Sequence, residues 1–410
     1  MKSFILAFGL ALFLGSCGSP EPVNAVLWTD RPEFAIYAEY FNSGQKQYKV
    51  EVQYLASPAE ELTTAVNFPD IVAGSWLKSS STRTLFRPLD DLFDEGSLAP
   101  EDFYPRLLAL GQIDNKQYLL PVSFNLPALV FSRNTGSQFS NFFVAGLEEI
   151  KSLGKAHNRE SKGVYSQMGF CFSPAWNDEF LFIIATLFNA SFKEADPLTW
   201  DAPALENALS YIQNWIDEAN SGTAAEDDFA FKYFYEPRSK LLMSGRLLFI
   251  SMKSSEFFTM PAEQREGLDF RWIAGDDRIP LSEEALYYGI CKDGRARKAA
   301  DAFTRWFFQE ETQRFFLEIE KKYRLDETLF GIGNGFSALR TVTEQIFPQY
   351  YTGLLGRMPP ETFLEPPNIL PRNWPDLKER VILPYLHERI RSGGGSLEQQ
   401  IAGWARLNRN

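Results

Sequence analysis

Three short stretches decide the fold: Ala25-Val26-Leu27-Trp28-Thr29, Tyr48-Lys49-Val50-Glu51-Val52-Gln53-Tyr54-Leu55 and Asp70-Ile71-Val72-Ala73-Gly74. The first and third are brief apolar runs that read as buried strands, and the second alternates as a half-buried strand does. Between the first two, Phe34, Tyr37, Ala38 and Phe41 fall on one helical face. Between the last two, residues 60–66 also read as helical. Strand, helix, strand, helix, strand predicts a parallel α/β sheet. In such sheets ligands bind beyond the carboxyl ends of the strands. The residues there are Trp28-Thr29-Asp30 and Gly74-Ser75-Trp76.

Working outward, Leu85-Phe86-Arg87-Pro88-Leu89-Asp90-Asp91-Leu92 reads as a turn into a short helix. Pro127-Ala128-Leu129-Val130-Phe131-Ser132-Arg133 is another apolar strand. Asp201 caps an amphipathic helix with Pro203 in its first turn, where a missing amide donor costs little. Leu205, Leu209, Ile212 and Ile216 form its apolar stripe, and Asn220-Ser221-Gly222 ends it. The run 241–250 reads as a helix end, a glycine turn at Gly245 and a strand. Residues 299–308 and 312–323 are helices with inward rings. Helices at 377–392 and 397–407 are split by Gly393-Gly394-Gly395. No internal repeat is present.

The amino terminus carries Lys2, then an apolar run from Phe4 to Leu14, then Leu14-Gly15-Ser16-Cys17. This is the layout of a secretory signal, and the run is too short to span a bilayer comfortably. With a cysteine straight after Leu-Gly-Ser it resembles the bacterial lipoprotein signal, which implies removal of residues 1–16 and lipid on Cys17. An ordinary signal peptide that contains a cysteine is the alternative. A polar tether, Gly18-Ser19-Pro20-Glu21-Pro22, follows. The 410 residues suggest two or three domains. The net charge of −12 becomes −13 when Lys2 is removed, and such an acidic body without Lys/Arg clusters is a poor nucleic-acid binder. Cys171 and Cys291 are far apart in sequence, each in an apolar run. They read as buried free thiols, with a disulfide as the alternative.

The order of features resembles the extracellular solute-binding proteins of bacterial ABC importers, in the maltose-binding-like, sugar-binding branch. The residues that carry it are Phe68-Pro69-Asp70-Ile71-Val72, Arg87-Pro88-Leu89-Asp90-Asp91-Leu92 and Asn115-Lys116-Gln117-Tyr118-Leu119-Leu120-Pro121 with Leu129-Val130-Phe131-Ser132-Arg133-Asn134. To these are added Met243-Ser244-Gly245-Arg246, Ala299-Ala300-Asp301-Ala302-Phe303-Thr304-Arg305-Trp306-Phe307 and the tail 383–407. Glu284-Ala285-Leu286-Tyr287-Tyr288-Gly289 departs from the family, which often has a glycine-rich segment there. The Pro-rich segment 324–372 departs as well. The resemblance implies a two-lobed periplasmic-binding-protein-like (type II) α/β fold. Each lobe has a central, mostly parallel sheet flanked by helices, with a hinge between. It divides the chain into signal 1–16, tether 17–24, lobe 1 at 25–131 plus 292–331, and lobe 2 at 132–291 plus 332–410.

Sugar sites combine rings that stack on apolar sugar faces with fixed polar groups. By position, Trp28, Asp30, Trp76 and Asn125 belong to the first lobe's side of a cleft. Trp176, Asn177, Asp178, Tyr287 and Trp374 belong to the second. Trp28 and Trp76 suit ligand stacking or lobe core equally. Asp30 and Asp178 also suit helix caps, and Tyr287 suits hinge packing. Catalytic signals are poor. His157 and His387, the only histidines, sit in polar, surface-like contexts. No metal-ligand spacing, nucleophile elbow or phosphate loop is present. Gly331-Ile332-Gly333-Asn334-Gly335-Phe336 reads as a turn. Acidic pairs such as Asp227-Asp228 read as solvated charge. The expected function is therefore capture of a small solute, a carbohydrate by the resemblance, with delivery to ABC permease subunits. No cofactor, metal or catalysis is implied. The expected location is the bacterial cell envelope, lipid-anchored to the outer face of the cytoplasmic membrane or in the periplasm. An orphan or sensory lipoprotein of the same fold and a surface glycosidase are the rival readings.

Overall fold

The structure, a computed structural model, describes residues 22–96 and 98–408. The signal, Cys17 and the tether up to residue 21 lie outside the described residues. Two sheets carry the fold. Their strands, in chain order, are β1 (Val23–Thr29), β2 (Tyr48–Tyr54), β3 (Ile71–Gly74), β4 (Leu120–Phe124), β5 (Pro127–Ser132), β6 (Val144–Gly146), β7 (Ile250–Lys253), β8 (Leu268–Ala274), β9 (Leu286–Ile290) and β10 (Phe336–Ser337). The first sheet has the order β10-β4-β9-β3-β1-β2 and the second β7-β5-β8-β6. β1 pairs in parallel with both β2 and β3, whereas β9 runs antiparallel to β3 and β4. Four of the six strands in the first sheet thus point one way, and three of four do in the second.

The sheets redraw the lobe boundaries. Pro127–Ser132 is the second strand of the second sheet, so the first crossing is at Asn125-Leu126 rather than after 131. β9 and β10 return to the first sheet, whereas the sequence division assigned 286–290 and 336–337 to lobe 2. An apolar run buries equally well in either sheet, so its pattern does not say which one it joins. β1 also starts at Val23, inside the stretch read as tether.

The expected elements form where their periodicity requires. The helix Glu33–Gly44 buries Phe34, Tyr37, Ala38 and Phe41. Those rings meet the helix Arg297–Phe307, with Phe34 and Phe307 stacked at 5.4 Å and Phe41 edge-on to Phe303 at 5.2 Å. Each buried ring of this kind contributes about 1.5–3 kcal/mol of transfer free energy. The helix Ala202–Asn220 starts at Asp201, whose Oδ1 accepts from the Ala204 amide at 2.9 Å, and ends on Ser221 in the left-handed conformation. Helices Glu310–Lys322 and Leu397–Leu407 match the expected spans closely. The expected single helix at 377–392 is instead a short turn Trp374–Leu377, a wide turn Lys378–Ile382 and the helix Leu383–Ser392. Cys171 and Cys291 are buried free thiols.

The chain passes between the lobes three times. The second and third passages lie side by side, Ile279 pairing with Leu364 and Pro280 with Glu365. Behind them the lobes share one aromatic seam. Phe258 and Trp272 of the second lobe pack on Phe330 and Phe336 of the first, at 4.9 and 5.9 Å respectively.

Asp70 joins three elements of the first lobe. Its Oδ2 accepts from the Val26 amide (2.9 Å), its Oδ1 from the Ala296 amide (2.6 Å), and its carbonyl from the Cys291 amide (2.9 Å). Asp70→Ala leaves two amides without acceptors. It should lower the unfolding free energy by about 2–4 kcal/mol with an unchanged denaturant slope, read by urea titration.

Candidate functional site

Beyond the carboxyl ends of β1 and β3 a cavity of about 200 Å³ opens between the lobes. Asp30, Ser75 and Trp76 line it from the first lobe, with Arg372, Asn373 and Asp376 facing them from the second. Trp76 is half-buried and packs against the hydrophobic cores of both lobes. Its φ is +67°, a conformation that bulky residues rarely adopt and that concentrates at functional positions. The backbone there turns the indole across the gap.

Asp30 Oδ1 is buried with no hydrogen-bond partner. Its nearest cation is Arg31, at 3.8 Å. Burial raises the Asp30 carboxyl above its usual range, and Arg31 offsets part of that. Arg31 in turn donates to Ser75 Oγ at 3.3 Å, and Ser75 donates to the Glu284 carbonyl at 3.1 Å. The result is a ring, a carboxylate, a guanidinium and hydroxyls around one small space. Such a set stacks on an apolar face and exchanges hydrogen bonds with hydroxyls. The lobes touch on either side of it. Arg372 donates to Thr63 Oγ1, and Glu194 accepts from the Ser80 amide (2.8 Å) and hydroxyl (3.0 Å).

The other sequence candidates are drawn elsewhere. Trp28 donates its indole N–H to Gln53 Oε1 on β2 at 2.8 Å and does not line the cavity. Asn125 is a hinge residue. Its Nδ2 donates to the Asn334 carbonyl (2.9 Å), and its Oδ1 accepts from Ser254 Oγ (2.6 Å) and the Ser255 amide (3.1 Å). Trp176 is buried edge-on to Phe229. Asn177 is buried too, donating to the Cys171 carbonyl and accepting from Ser251. Tyr287 is fully buried and donates to the Leu107 carbonyl at 2.8 Å. Trp374 is core as well, between Phe182 and Phe192, although its neighbours Arg372, Asn373 and Pro375 line the cavity. Large rings and amides in loops serve core packing as readily as ligands; here the amides are hydrogen-bonded and the rings packed, and among them only the Trp374 indole N–H is buried without a partner. Asp178 lines a second concavity of about 170 Å³, between lobe 2 and the second and third crossings, where residues 280–283 and 365–367 form its other wall. His387 is half-buried rather than superficial, and burial lowers it to about 4.

Sequence reasoning passed over the charges at the second concavity, which Glu179, Lys253 and Glu283 line. Lys253 reaches Glu284 at 2.9 Å, and Lys378 sits between Glu179 and Glu283. Burial raises the Glu284 carboxyl, but Lys253 overrides it and holds the net value below the usual range. Ion pairs therefore cross from β7 and from 378 to the second crossing. Nothing in residue spacing signals these pairings, which join segments far apart in sequence. Arg31 and Arg372 were nearer to view, as neighbours of Asp30 and Trp374.

No family model matches the sequence, and no curated protein matches it. Solved structures do. MalE, the sugar-binding protein of Xanthomonas citri, is 12% identical with a TM-score of 0.66, covering 94% of this chain and 96% of its own. The cyclic α-maltosyl-1,6-maltose binding protein of Arthrobacter globiformis is 15% identical, TM-score 0.63, covering 93% and 96%. An ABC substrate-binding protein of Listeria monocytogenes, in complex with cycloalternan, is 14% identical, TM-score 0.61, covering 94% and 98%. The chain has the fold of two-lobed solute-binding proteins. At these identities the likeness establishes architecture over nearly the whole chain, and the two lobes and their hinge are those of this fold.

Lys78, just beyond Trp76, is buried with its ammonium 3.8 Å from the Tyr287 ring centroid. Burial lowers it from 10.5 to about 7. Between those values the unfolded chain holds a proton that the folded one has released, so stability rises with pH there. Below about 7 the penalty is present in full. Lys78→Met should raise the unfolding midpoint most below pH 7, and its gain should fade toward pH 10.5, as thermal melts across that range would record.

Proposed function

We propose that this chain is the substrate-binding component of an ABC importer, capturing a carbohydrate between its lobes and presenting it to permease subunits. The observation that carries the reading is the interlobe cavity, where the half-buried Trp76 and the unpartnered Asp30 Oδ1 face Arg372 and Asn373 across the gap. Structures of the same fold with sugar ligands, among them the cycloalternan complex, support it. In this reading the lobes close by rotation about the three crossings, and ligand favours the closed form through its higher affinity for it. No bond is made or broken. The protein is exported and held to the outer face of the membrane by lipid on Cys17. Among the described residues no helix is long and apolar enough to cross a membrane.

Trp76 stacks on the sugar, Asp30 accepts from its hydroxyls, and Arg372 donates from the opposite lobe. The test is thermal unfolding against mono- and oligosaccharides, with amino acids and polyamines as controls. A true ligand at a hundred times its Kd adds about 2.7 kcal/mol. Trp76→Ala should weaken binding about tenfold or more, and Asp30→Asn should weaken it in the same direction. Trp176→Phe should leave the Kd unchanged. A midpoint shift with a control compound alone would replace sugar as the ligand. Turnover of any oligosaccharide would replace binding by hydrolysis.

A further inference from the structure

At the pole of lobe 1 away from this cavity, Tyr40, Trp306 and Phe315 line an open groove of about 390 Å³, with Gly44 and Glu311 at its edge. Tyr40 and Phe315 meet edge to face at 5.0 Å. Trp306 leans on Phe41 and Phe316, at 5.3 and 5.5 Å, and stays half-buried. Phe315 is 40% exposed. β1 gives the groove its place in the molecule. The Val23 amide donates to the Gln47 carbonyl at 3.1 Å, three residues past Gly44. At the far end of β1, Thr29 leads to Asp30 in the interlobe cavity. The six steps from Val23 to Thr29 separate the two ends by about 20 Å.

We propose that this groove is a membrane-interface contact, its rings seated at the boundary between lipid headgroups and acyl chains. The inference rests on the reading of Cys17 as a lipid anchor. Six residues lead from Cys17 to Val23, a reach of at most about 20 Å. That reach confines the amino-terminal end of β1, and with it the groove, to the immediate neighbourhood of the bilayer. Trp and Tyr have an apolar body and a polar tip, the combination enriched in that zone. The short tether makes a weak contact effective, because docking is then intramolecular. Charge does not drive it: Lys46 and Glu311, of opposite sign, are both exposed beside the groove. Ring burial therefore supplies the attraction, and salt has little effect on it. Docked this way, the interlobe cavity stands on the far side of lobe 1 from the bilayer.

The test uses the lipidated full chain on phosphatidylcholine vesicles with and without lipids brominated in the upper acyl chain. Flotation reports anchoring, and tryptophan emission reports contact. Brominated lipid should quench a part of the wild-type emission that Trp306→Phe lacks, at low and high salt alike. Gly44→Asp, whose Cβ would meet no atom within 4 Å, should lose the same part of the quenching while still floating. Equal quenching of all three floating proteins would overturn the proposal. So would protection of Trp306 by a soluble oligosaccharide without vesicles, which would assign the groove to sugar. Failure of the wild-type chain to float would remove the anchor, and this contact with it, by a separate readout.

Discussion

The two lobes depend on the amide of Asn125. It sits where the chain first leaves lobe 1, and its two polar atoms reach Asn334 on one side and Ser254 and Ser255 on the other. Its carbonyl also accepts from the Ser282 amide at the second crossing, 3.0 Å away. Next to it, Leu126 and Ser254 exchange two further bonds. A planar group with donors and an acceptor in fixed directions defines an angle between the segments it joins, which an apolar contact does not. The cavity inherits its geometry from that angle, because Asp30 and Trp76 are fixed to one sheet and Arg372 to the lobe beyond the third crossing.

Around the hinge the chain has invested charge rather than open polar surface. Lys253 with Glu284, and Lys378 with Glu179 and Glu283, tie lobe 2 to the second crossing. Lys378 and Glu283 are the buried pair among them, and removing one partner of such a pair costs far more than the pair contributes net, because the other charge is left unpaired. These ions therefore act mainly to specify one arrangement of the crossings. Asp30 differs from them. Its free, buried oxygen lacks the hydrogen bond that buried carboxylates ordinarily have. A ligand hydroxyl would supply it.

The sequence displayed the local elements well. The strands at 25–29, 48–55 and 70–74 and the capped helix 202–220 all follow from periodicity and end signals that need no distant partner. Sheet order was not legible: β9 enters between β3 and β4 from more than 150 residues away, and apolar alternation carries no address. The Pro-rich segment 324–372 gave no periodic signal, yet it supplies β10 and the seam rings Phe330 and Tyr351. At the site, position after a strand end identified Asp30 and Trp76. The same position holds Trp28, which pairs with Gln53 instead, while Trp176, read from its loop, Trp374, read from the resemblance, and Tyr287 are buried in the core. In a chain with this many rings, a tryptophan in a loop is as often mortar for the core as a wall of the cleft.

The aromatic seam behind the crossings bears on how the molecule comes apart. Phe258 and Trp272 complete a core to which Phe330 and Phe336 also belong, and that cluster runs without a break from one sheet to the other. Lobe 2 keeps a second core on the other face of its sheet, around Phe131, Phe249 and Trp215, but lobe 1 has no core that excludes lobe 2. Unfolding of the first lobe therefore strips the cover from one face of the second lobe's sheet and leaves the opposite face packed.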